Sequence, residues 1–224
     1  MPDQILLKES IFNRNDEVAK ANLNLLNKLG VFCVDIIASP GAGKTTLVEK
    51  TIAALNNQFN IAVINGDIAT QLDTERAAAA GAVAKQINTG GECHLDANMV
   101  SLSLKEIDLQ NIDLLIIENV GNLICPANFK LGSHKTIIVA SVPEGADKPY
   151  KYPGTYLGAH LILLNKMDLL PYVPFDVDYF SKGIKIINPD VEIIKISSLH
   201  GDGMNQWYQW IYNQISHYKS KEVL

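Results

Sequence analysis

Cysteine is scarce in this chain of 224 residues, which contains only Cys33, Cys93 and Cys125. Three cysteines this far apart do not suggest a disulfide framework. In a reducing compartment their thiols are expected to be free or to ligate a metal ion. The cysteine usage therefore favours a cytoplasmic protein.

Clusters of positive charge are also missing. The formal net charge is −5 at pH 7, and no run of lysine and arginine stands out. Binding to nucleic acid or to an anionic membrane relies on such clusters, so we expect neither as a partner. Residues 1–9 carry charges where a signal peptide needs a continuous apolar core, which again predicts a cytoplasmic location.

A glycine-rich segment follows an apolar run and precedes a helical pattern. Residues 31–37 (VFCVDII) predict a buried strand, and residues 38–46 (ASPGAGKTT) come next. A strand that leads through a glycine-rich turn into a helix directs backbone N–H groups and the helix dipole at one anion. We therefore expect this loop to bind the phosphates of a nucleoside triphosphate. The predicted contacts are Pro40, Gly41, Ala42, Gly43, Lys44, Thr45 and Thr46.

Two side chains of this loop have specific expected roles. Lys44 would reach the β and γ phosphates, and Thr45 would offer its hydroxyl to Mg²⁺. One position departs from the usual motif, because Ala38 stands where the first glycine is expected. The lysine and the two later glycines are intact, so we expect nucleotide binding to survive.

A second motif predicts which base is bound. Residues 159–164 (AHLILL) read as a buried strand, and an N-K-x-D box ending at Asp168 follows it. A carboxylate there can accept from both the ring N–H and the exocyclic amine of guanine, which adenine cannot present together. A later strand ends in a loop expected to donate a backbone N–H to the guanine oxygen. The predicted base-binding residues for GTP and GDP are Asn165, Lys166, Asp168, Ser198 and Leu199.

Further residues at predicted strand ends are candidates for Mg²⁺ binding and hydrolysis. Asp67 is expected to ligate Mg²⁺ directly or through a water, the alternative being a turn or helix cap; Asp73 is a weaker candidate. Glu118 would hold Mg²⁺ or orient the attacking water. Gly121 would give its N–H to the γ-phosphate, since only a residue without a side chain allows that approach. With Lys44, these predict the catalytic set Lys44, Asp67, Glu118 and Gly121.

Two cysteines and a histidine form a separate candidate metal site. Cys125 lies a few residues past the predicted γ-phosphate contact, and Cys93 is adjacent to His94. Thiolate and imidazole suit Zn²⁺ or Ni²⁺. The fourth ligand is expected to be water, Glu92 or a cysteine from a second copy across a two-fold axis. The alternative is a buried thiol beside an ordinary surface imidazole; Cys33 is expected in the core.

Alternating strand and helix patterns predict a single α/β domain. The implied fold is a three-layer P-loop NTPase with a mostly parallel sheet flanked by helices, preceded by an N-terminal helix over 5–29. We expect one domain over 1–224, with 1–30 as a helical extension and 31–224 as the nucleotide-binding core. Strands are predicted near 31–37, 60–65, 84–88, 113–118, 135–141, 159–164 and 191–196, and further helices near 44–57, 71–81, 96–106, 176–187 and 204–219.

The order of these motifs resembles the HypB family, GTPases that help insert nickel into nickel–iron hydrogenase. The resemblance rests on the phosphate loop, the CHLDA and ENVGNLICP segments and the NKMD box, and it spans nearly the whole chain. It implies a P-loop GTPase of the dimerisation-activated SIMIBI class, in which GTP promotes a homodimer with a metal site at its interface. It also implies metal ligation by Cys93, His94 and Cys125, and two partners, a HypA-type nickel chaperone and the hydrogenase large subunit.

The chain departs from its relatives at two places. Some family members begin with a C-x-x-C-G-C motif or a histidine-rich tract, and this chain shows neither, so we do not expect nickel storage at the N-terminus. The related urease accessory GTPase would show C-P-H where Cys125, Pro126 and Ala127 stand, which points away from urease. Residues 144–153 are similar to a family segment in which Lys148 is expected near the partner subunit's nucleotide loops.

The sequence therefore predicts a metallochaperone that couples GTP-dependent dimerisation to nickel delivery during hydrogenase maturation. Its GTPase is expected to be slow, because no arginine finger is apparent. The alternative is a nucleotide-gated metal-binding scaffold for another nickel or cobalamin enzyme, with turnover incidental. A Glu118→Ala variant separates the two, since a scaffold would still dimerise with GTP and deliver metal without hydrolysis.

Overall fold

The structure is a computed structural model that describes residues 3–67 and 71–222, with side chains described for residues 12–67 and 71–220. Helices and strands alternate along the chain. The helices are α1 (Asp3–Leu29), α2 (Lys44–Leu55), α3 (Leu72–Ala79), α4 (Ala97–Leu104), α5 (Lys148–Lys151), α6 (Pro153–Leu157), α7 (Val177–Ile187) and α8 (Met204–Glu222). The strands are β1 (Phe32–Ala38), β2 (Ile61–Asp67), β3 (Val83–Asn88), β4 (Leu114–Glu118), β5 (Lys135–Ser141), β6 (Leu161–Asn165) and β7 (Glu192–Lys195).

Within the described part of the chain, one seven-stranded sheet has the order β3-β2-β4-β1-β5-β6-β7. Every neighbouring pair of strands in it is parallel. The predicted α/β fold is confirmed, and each predicted strand lies within two residues of an observed one. The sequence patterns did not predict the short helices α5 and α6. These helices have only four and five residues, which is too short for the spacing of apolar residues in a helix to be recognised.

The two faces of the sheet are covered by different helices. On one face, Phe32, Val34 and Ile36 of β1 pack in a core cluster with residues of α2 and α8, including the fully buried Trp207. On the other face, Cys33 and Val31 belong to a cluster with Leu26 of α1 and residues of α4. Burial on both faces explains why β1, β4 and β6 are mostly apolar along their length rather than alternating between apolar and polar residues.

The long helix α1 is fixed to the nucleotide-binding core by side-chain amides. The Asn22 Nδ2 donates to the carbonyl oxygens of Ala97 and Leu131 at 2.8 and 3.0 Å. The Asn15 amide bonds the Lys130 carbonyl and the Ala97 N–H, both at 2.9 Å. These contacts connect α1 to the loops that follow His94 and Cys125. None of the helices in the described residues has the length and apolar character needed to cross a bilayer.

Candidate functional site

The carboxyl ends of β1, β2, β4 and β6 meet around a cavity of about 700 Å³. Strand β1 lies at the centre of the sheet, with β4 on one side and β5 on the other. Such a switch point leaves a crevice at the strand ends, where α/β sheets bind ligands. The predicted site residues that line it are Pro40, Gly41, Gly43, Lys44, Thr45, Thr46, Asp67, Glu118, Gly121, Asn165, Lys166, Asp168, Ser198 and Leu199.

The phosphate loop has the backbone conformation that its glycines allow. Gly41 has φ +73° and Gly43 has φ +99°, and Gly43 directly precedes α2. A Cβ on Gly43 would lie 2.5 Å from Asn165 Nδ2, so no side chain fits at that position. Ala38, where the motif expects glycine, is instead the last residue of β1 and pairs with Val139. An alanine fits there because strand geometry needs no positive φ.

Asn165 joins the phosphate loop to the base-binding loops. Its Nδ2 donates to the Ala42 carbonyl at 2.8 Å and to Ser198 Oγ at 3.0 Å. Its Oδ1 accepts from the backbone N–H groups of Lys166 and Ser198. The side chain of Ala42 is buried and does not line the cavity, and its contact with the nucleotide stays a prediction.

Asp168 is held in position by a serine that sequence analysis did not select. Ser197 Oγ donates to Asp168 Oδ1 at 2.6 Å, and the exposed His200 ring lies 3.8 Å from Oδ2. Ser197 is fully buried and lies two residues beyond the end of β7. Its hydroxyl orients the carboxylate and leaves the other oxygen available for a base. A serine at a strand end is too common a pattern for the sequence alone to single it out.

Glu118 and Thr45 are in direct contact at the floor of the cavity. Thr45 Oγ1 donates to Glu118 Oε1 at 2.8 Å, and Asn65 Nδ2 donates to Oε2 at 2.8 Å. Burial raises the pKa of Glu118 to about 7, while the Lys44 ammonium and the Thr45 hydrogen bond oppose this shift. Burial also lowers the pKa of Lys44, opposed mainly by the Glu118 carboxylate. The two groups form a partly dehydrated pair of opposite charge where Mg²⁺ and phosphate were expected.

Several other polar groups reach the same cavity. Asp67 ends β2 and lines the cavity together with Asp73. Gly121 lies against the phosphate loop, where an added Cβ would be 3.4 Å from Pro40 Cα. Arg76 also lines the cavity; its guanidinium pairs with Glu49 at 2.6 Å. The sequence showed no arginine finger, and only the docking of α3 against α2 brings this arginine to the site.

The thiols of Cys93 and Cys125 lie close enough to interact. The interaction with Cys125 is the main cause that raises the pKa of Cys93. The Cys93 Sγ also lies 3.8 Å from His94 Nδ1, and the His94 ring stacks on Phe129 with centroids 4.0 Å apart. Both cysteines are partly exposed, whereas Cys33 is buried as expected. Folding therefore brings together the sulfur atoms of two segments that lie far apart in sequence.

No group of three or more metal-binding side chains is assembled among the described residues. The His94 ring is stacked on Phe129, and its Nδ1 faces the Cys93 sulfur at 3.8 Å. The sulfur pair fits a soft metal ion, but one protomer in this conformation does not provide a third protein ligand.

Comparison of the sequence with known proteins also indicates a nucleotide-binding protein. Residues 33–195 match the family model described as CobW/HypB/UreG, nucleotide-binding domain. The hydrogenase maturation factor HypB of Azotobacter vinelandii is 45% identical over 208 residues, which cover 93% of this chain and 69% of that protein.

Solved structures show the same relationship. HypB from Archaeoglobus fulgidus superposes with a TM-score of 0.85 at 38% identity, covering 91% of this chain and 99% of that one. HypB from Helicobacter pylori, solved in complex with nickel, has a TM-score of 0.85 at 33% identity, covering 91% and 96%. The resemblance inferred from the motifs is thus confirmed, and this chain belongs to the HypB family of hydrogenase maturation factors.

Proposed function

We propose that this chain is a slow GTP hydrolase and metallochaperone that couples GTP-dependent dimerisation to nickel delivery during hydrogenase maturation. One observation carries the proposal: a single short segment connects the two sites. It leaves β4 at Glu118, passes the phosphate loop at Gly121 and reaches the paired thiol of Cys125. A change at the γ-phosphate is therefore transmitted over a few residues to the metal ligands.

The nucleotide pocket contains the groups that such a hydrolase needs. Lys44 binds the β and γ phosphates, and the Gly121 N–H holds the γ-phosphate. Thr45, Asp67 and Glu118 would hold Mg²⁺ through the hard oxygen ligands that it prefers, and the ion would supply positive charge to stabilise the phosphate oxygens. In the alternative role, Glu118 would orient the attacking water instead of ligating Mg²⁺. Asp168, fixed by Ser197, selects guanine.

The metal site is proposed to be completed by a second copy of the chain. The Cys93 and Cys125 thiols are paired in one protomer, and turning His94 away from Phe129 would add its imidazole. Ile124, next to Cys125, leaves 47% of its surface exposed, as expected of an apolar side chain at an interface. Nickel or zinc would then be held between the copies, and binding of metal would favour the dimer.

Family membership supports further assignments for the whole chain. We propose one cytoplasmic domain over 1–224, with 1–30 as an extension that braces the core through Asn15 and Asn22. A HypA-type nickel chaperone and the hydrogenase large subunit are proposed as the proteins that supply and receive nickel. The relative from Helicobacter pylori, solved with nickel, makes nickel the first metal to test.

The test measures nickel affinity and molar mass with GDP and with a non-hydrolysable GTP analogue. We expect a dimer with the analogue, and nickel affinities that differ by about tenfold between the two nucleotides. Cys125→Ala should weaken nickel binding at least about tenfold and remove the nucleotide dependence. Cys33→Ala is the matched control, because this third thiol is buried away from the pair. Equal nickel affinities and a monomer with both nucleotides would refute the proposal.

A further inference from the structure

A charged residue interrupts the central strand of the sheet. Asp35 lies in the middle of β1, where every residue is buried, and only 3% of its surface is exposed. Its neighbours along the strand and on β4, Ile36 and Ile117, are apolar, and its neighbour on β5 is Thr136. A buried carboxyl group costs free energy unless it is hydrogen-bonded. The side-chain amide of Asn119 supplies such a bond, because its Nδ2 donates to Asp35 Oδ1 at 3.2 Å.

The other end of the same amide connects two functional loops. Asn119 Oδ1 accepts from the backbone N–H of Leu95 at 3.1 Å and from that of Val120 at 3.0 Å. Leu95 directly follows Cys93 and His94, and Val120 directly precedes Gly121. Asn119 is itself 1% exposed, so water does not compete for these bonds. One buried carbonyl oxygen therefore ties the loop of the first two metal ligands to the loop beside the γ-phosphate.

The orientation of this amide depends on Asp35. A carboxamide has its oxygen on one side and its two N–H donors on the other. To accept from two backbone N–H groups, Asn119 must turn its NH₂ group back toward β1. Asp35 provides an acceptor for that group. A reversed amide would set NH₂ donors against the N–H groups of Leu95 and Val120, leaving all of them unpaired in the interior.

We propose that Asn119 is a positioning residue that transmits the state of the nucleotide to the Cys93–His94 segment, and that Asp35 is placed in β1 to hold the amide in its transmitting orientation. This inference deepens the proposed function and rests on it for its effect on metal binding. The proposal predicts that the Cys93–His94 loop and the loop beside the γ-phosphate move together. The reason is that the backbone N–H groups of Leu95 and Val120 share one acceptor, Asn119 Oδ1. The proposal also explains why an acidic residue occupies an otherwise apolar strand.

The test uses two substitutions at Asp35, which lies outside the nucleotide cavity. Asp35→Asn keeps an acceptor for the Asn119 amide, whereas Asp35→Leu removes it at similar size. The leucine is accommodated because Asp35 borders a separate cavity of about 530 Å³ beneath α1. Hydrogen exchange of residues 93–97 and 118–122 is measured for each protein with GDP and with a non-hydrolysable GTP analogue, together with nickel affinity in both states.

In the wild type and in Asp35→Asn, exchange in both segments should change when the analogue replaces GDP. In Asp35→Leu, exchange at Leu95 should become at least about tenfold faster and no longer depend on the nucleotide, while residues 118–122 still respond. The ratio of nickel affinities between the two nucleotides should then fall towards one in this variant only. A residue that merely supports folding would change stability without changing that ratio.

Two results would overturn the inference. One is a wild type in which residues 118–122 respond to the nucleotide and residues 93–97 do not. The other is an Asp35→Leu variant whose 93–97 segment responds as the wild type does. Linked exchange in the wild type with equal nickel affinities for both nucleotides would instead refute the proposed function and leave the positioning role of Asn119 intact.

Discussion

Asp168 and Glu118 are both carboxylates at the ends of strands, but their surroundings give them different chemistry. Glu118 is buried and shares its oxygens with Thr45 and Asn65, and its pKa is raised to about 7. Asp168 lies in the cavity wall with one oxygen held by Ser197. Burial and two hydrogen bonds therefore set the chemistry of Glu118, whereas Asp168 keeps an oxygen in the cavity wall, where the proposed guanine base would contact it.

Replacing the proposed base-reading carboxylate should change which nucleotide is bound. In Asp168→Asn, the amide N–H groups would face the donor edge of guanine, so GTP affinity should fall at least about tenfold. Affinity for XTP should rise, because xanthine carries an oxygen where guanine carries its amine. Competition titrations with GTP, XTP and ATP measure both effects. The control is His200→Gln, next to the same carboxylate, which should leave the preference for GTP unchanged. If Asp168→Asn also kept the preference for GTP, recognition of guanine by Asp168 would be contradicted.

Helix α1 not only precedes the nucleotide-binding core in the sequence but is also hydrogen-bonded to it. Its Asn15 and Asn22 bond backbone groups at Ala97 and at residues 130–131, just beyond the segments of the two thiols. The apolar spacing of the sequence predicts the helix but not these contacts, because the sequence does not show which loop carbonyls an asparagine will meet. The loop at 130–133 packs so closely on α1 that it has room only for glycine at Gly132.

A single methyl group at this contact should loosen the docking of α1. Gly132 has φ +96°, and a Cβ there would lie 2.5 Å from the Ala19 carbonyl oxygen and 2.6 Å from Asn22 Cβ. Gly132→Ala should therefore lower the free energy of unfolding by about 1–3 kcal/mol, from backbone strain and overpacking together. Urea denaturation measures the loss. The control is Gly154→Ala, where an added Cβ meets nothing within 4 Å, and it should change the free energy of unfolding by less than about 1 kcal/mol. Equal losses in the two variants would argue against the close contact between Gly132 and α1.

At the scale of the whole molecule, buried titratable groups make the free energy of unfolding depend on pH. Some of these groups lower it as pH rises, and others increase it. Burial raises the pKa values of Asp35 and Glu118 to about 7. The folded protein therefore binds more protons at these groups than the unfolded chain between about pH 4 and 7, and their contribution to stability falls as pH rises. Burial lowers the pKa of His134 to about 4, so its contribution rises with pH between about 4 and 6.5.

A double substitution separates these contributions. Asp35→Asn with Glu118→Gln removes both raised carboxyl groups and keeps one acceptor oxygen at each position. Without nucleotide or Mg²⁺, the stability of the variant relative to the wild type should increase from pH 5 to pH 8 by a total of roughly 2–5 kcal/mol, at about 1.4 kcal/mol per unit of pKa shift. Urea denaturation at each pH measures the difference. A difference that is constant with pH would show that these carboxyl groups do not titrate as buried groups.

The sequence by itself determined the seven strands, the phosphate loop, the N-K-x-D box and the three candidate metal ligands, because each depends on a short spacing or a local apolar pattern. It could not pair Asp35 with Asn119, Asn65 with Glu118 or Ser197 with Asp168, which lie 84, 53 and 29 residues apart. These contacts depend on the order in which the strands are placed side by side and on the side chains that then face each other. The tertiary structure alone decided them, and Asp35, which reads as part of an apolar run, acquires its proposed role only there.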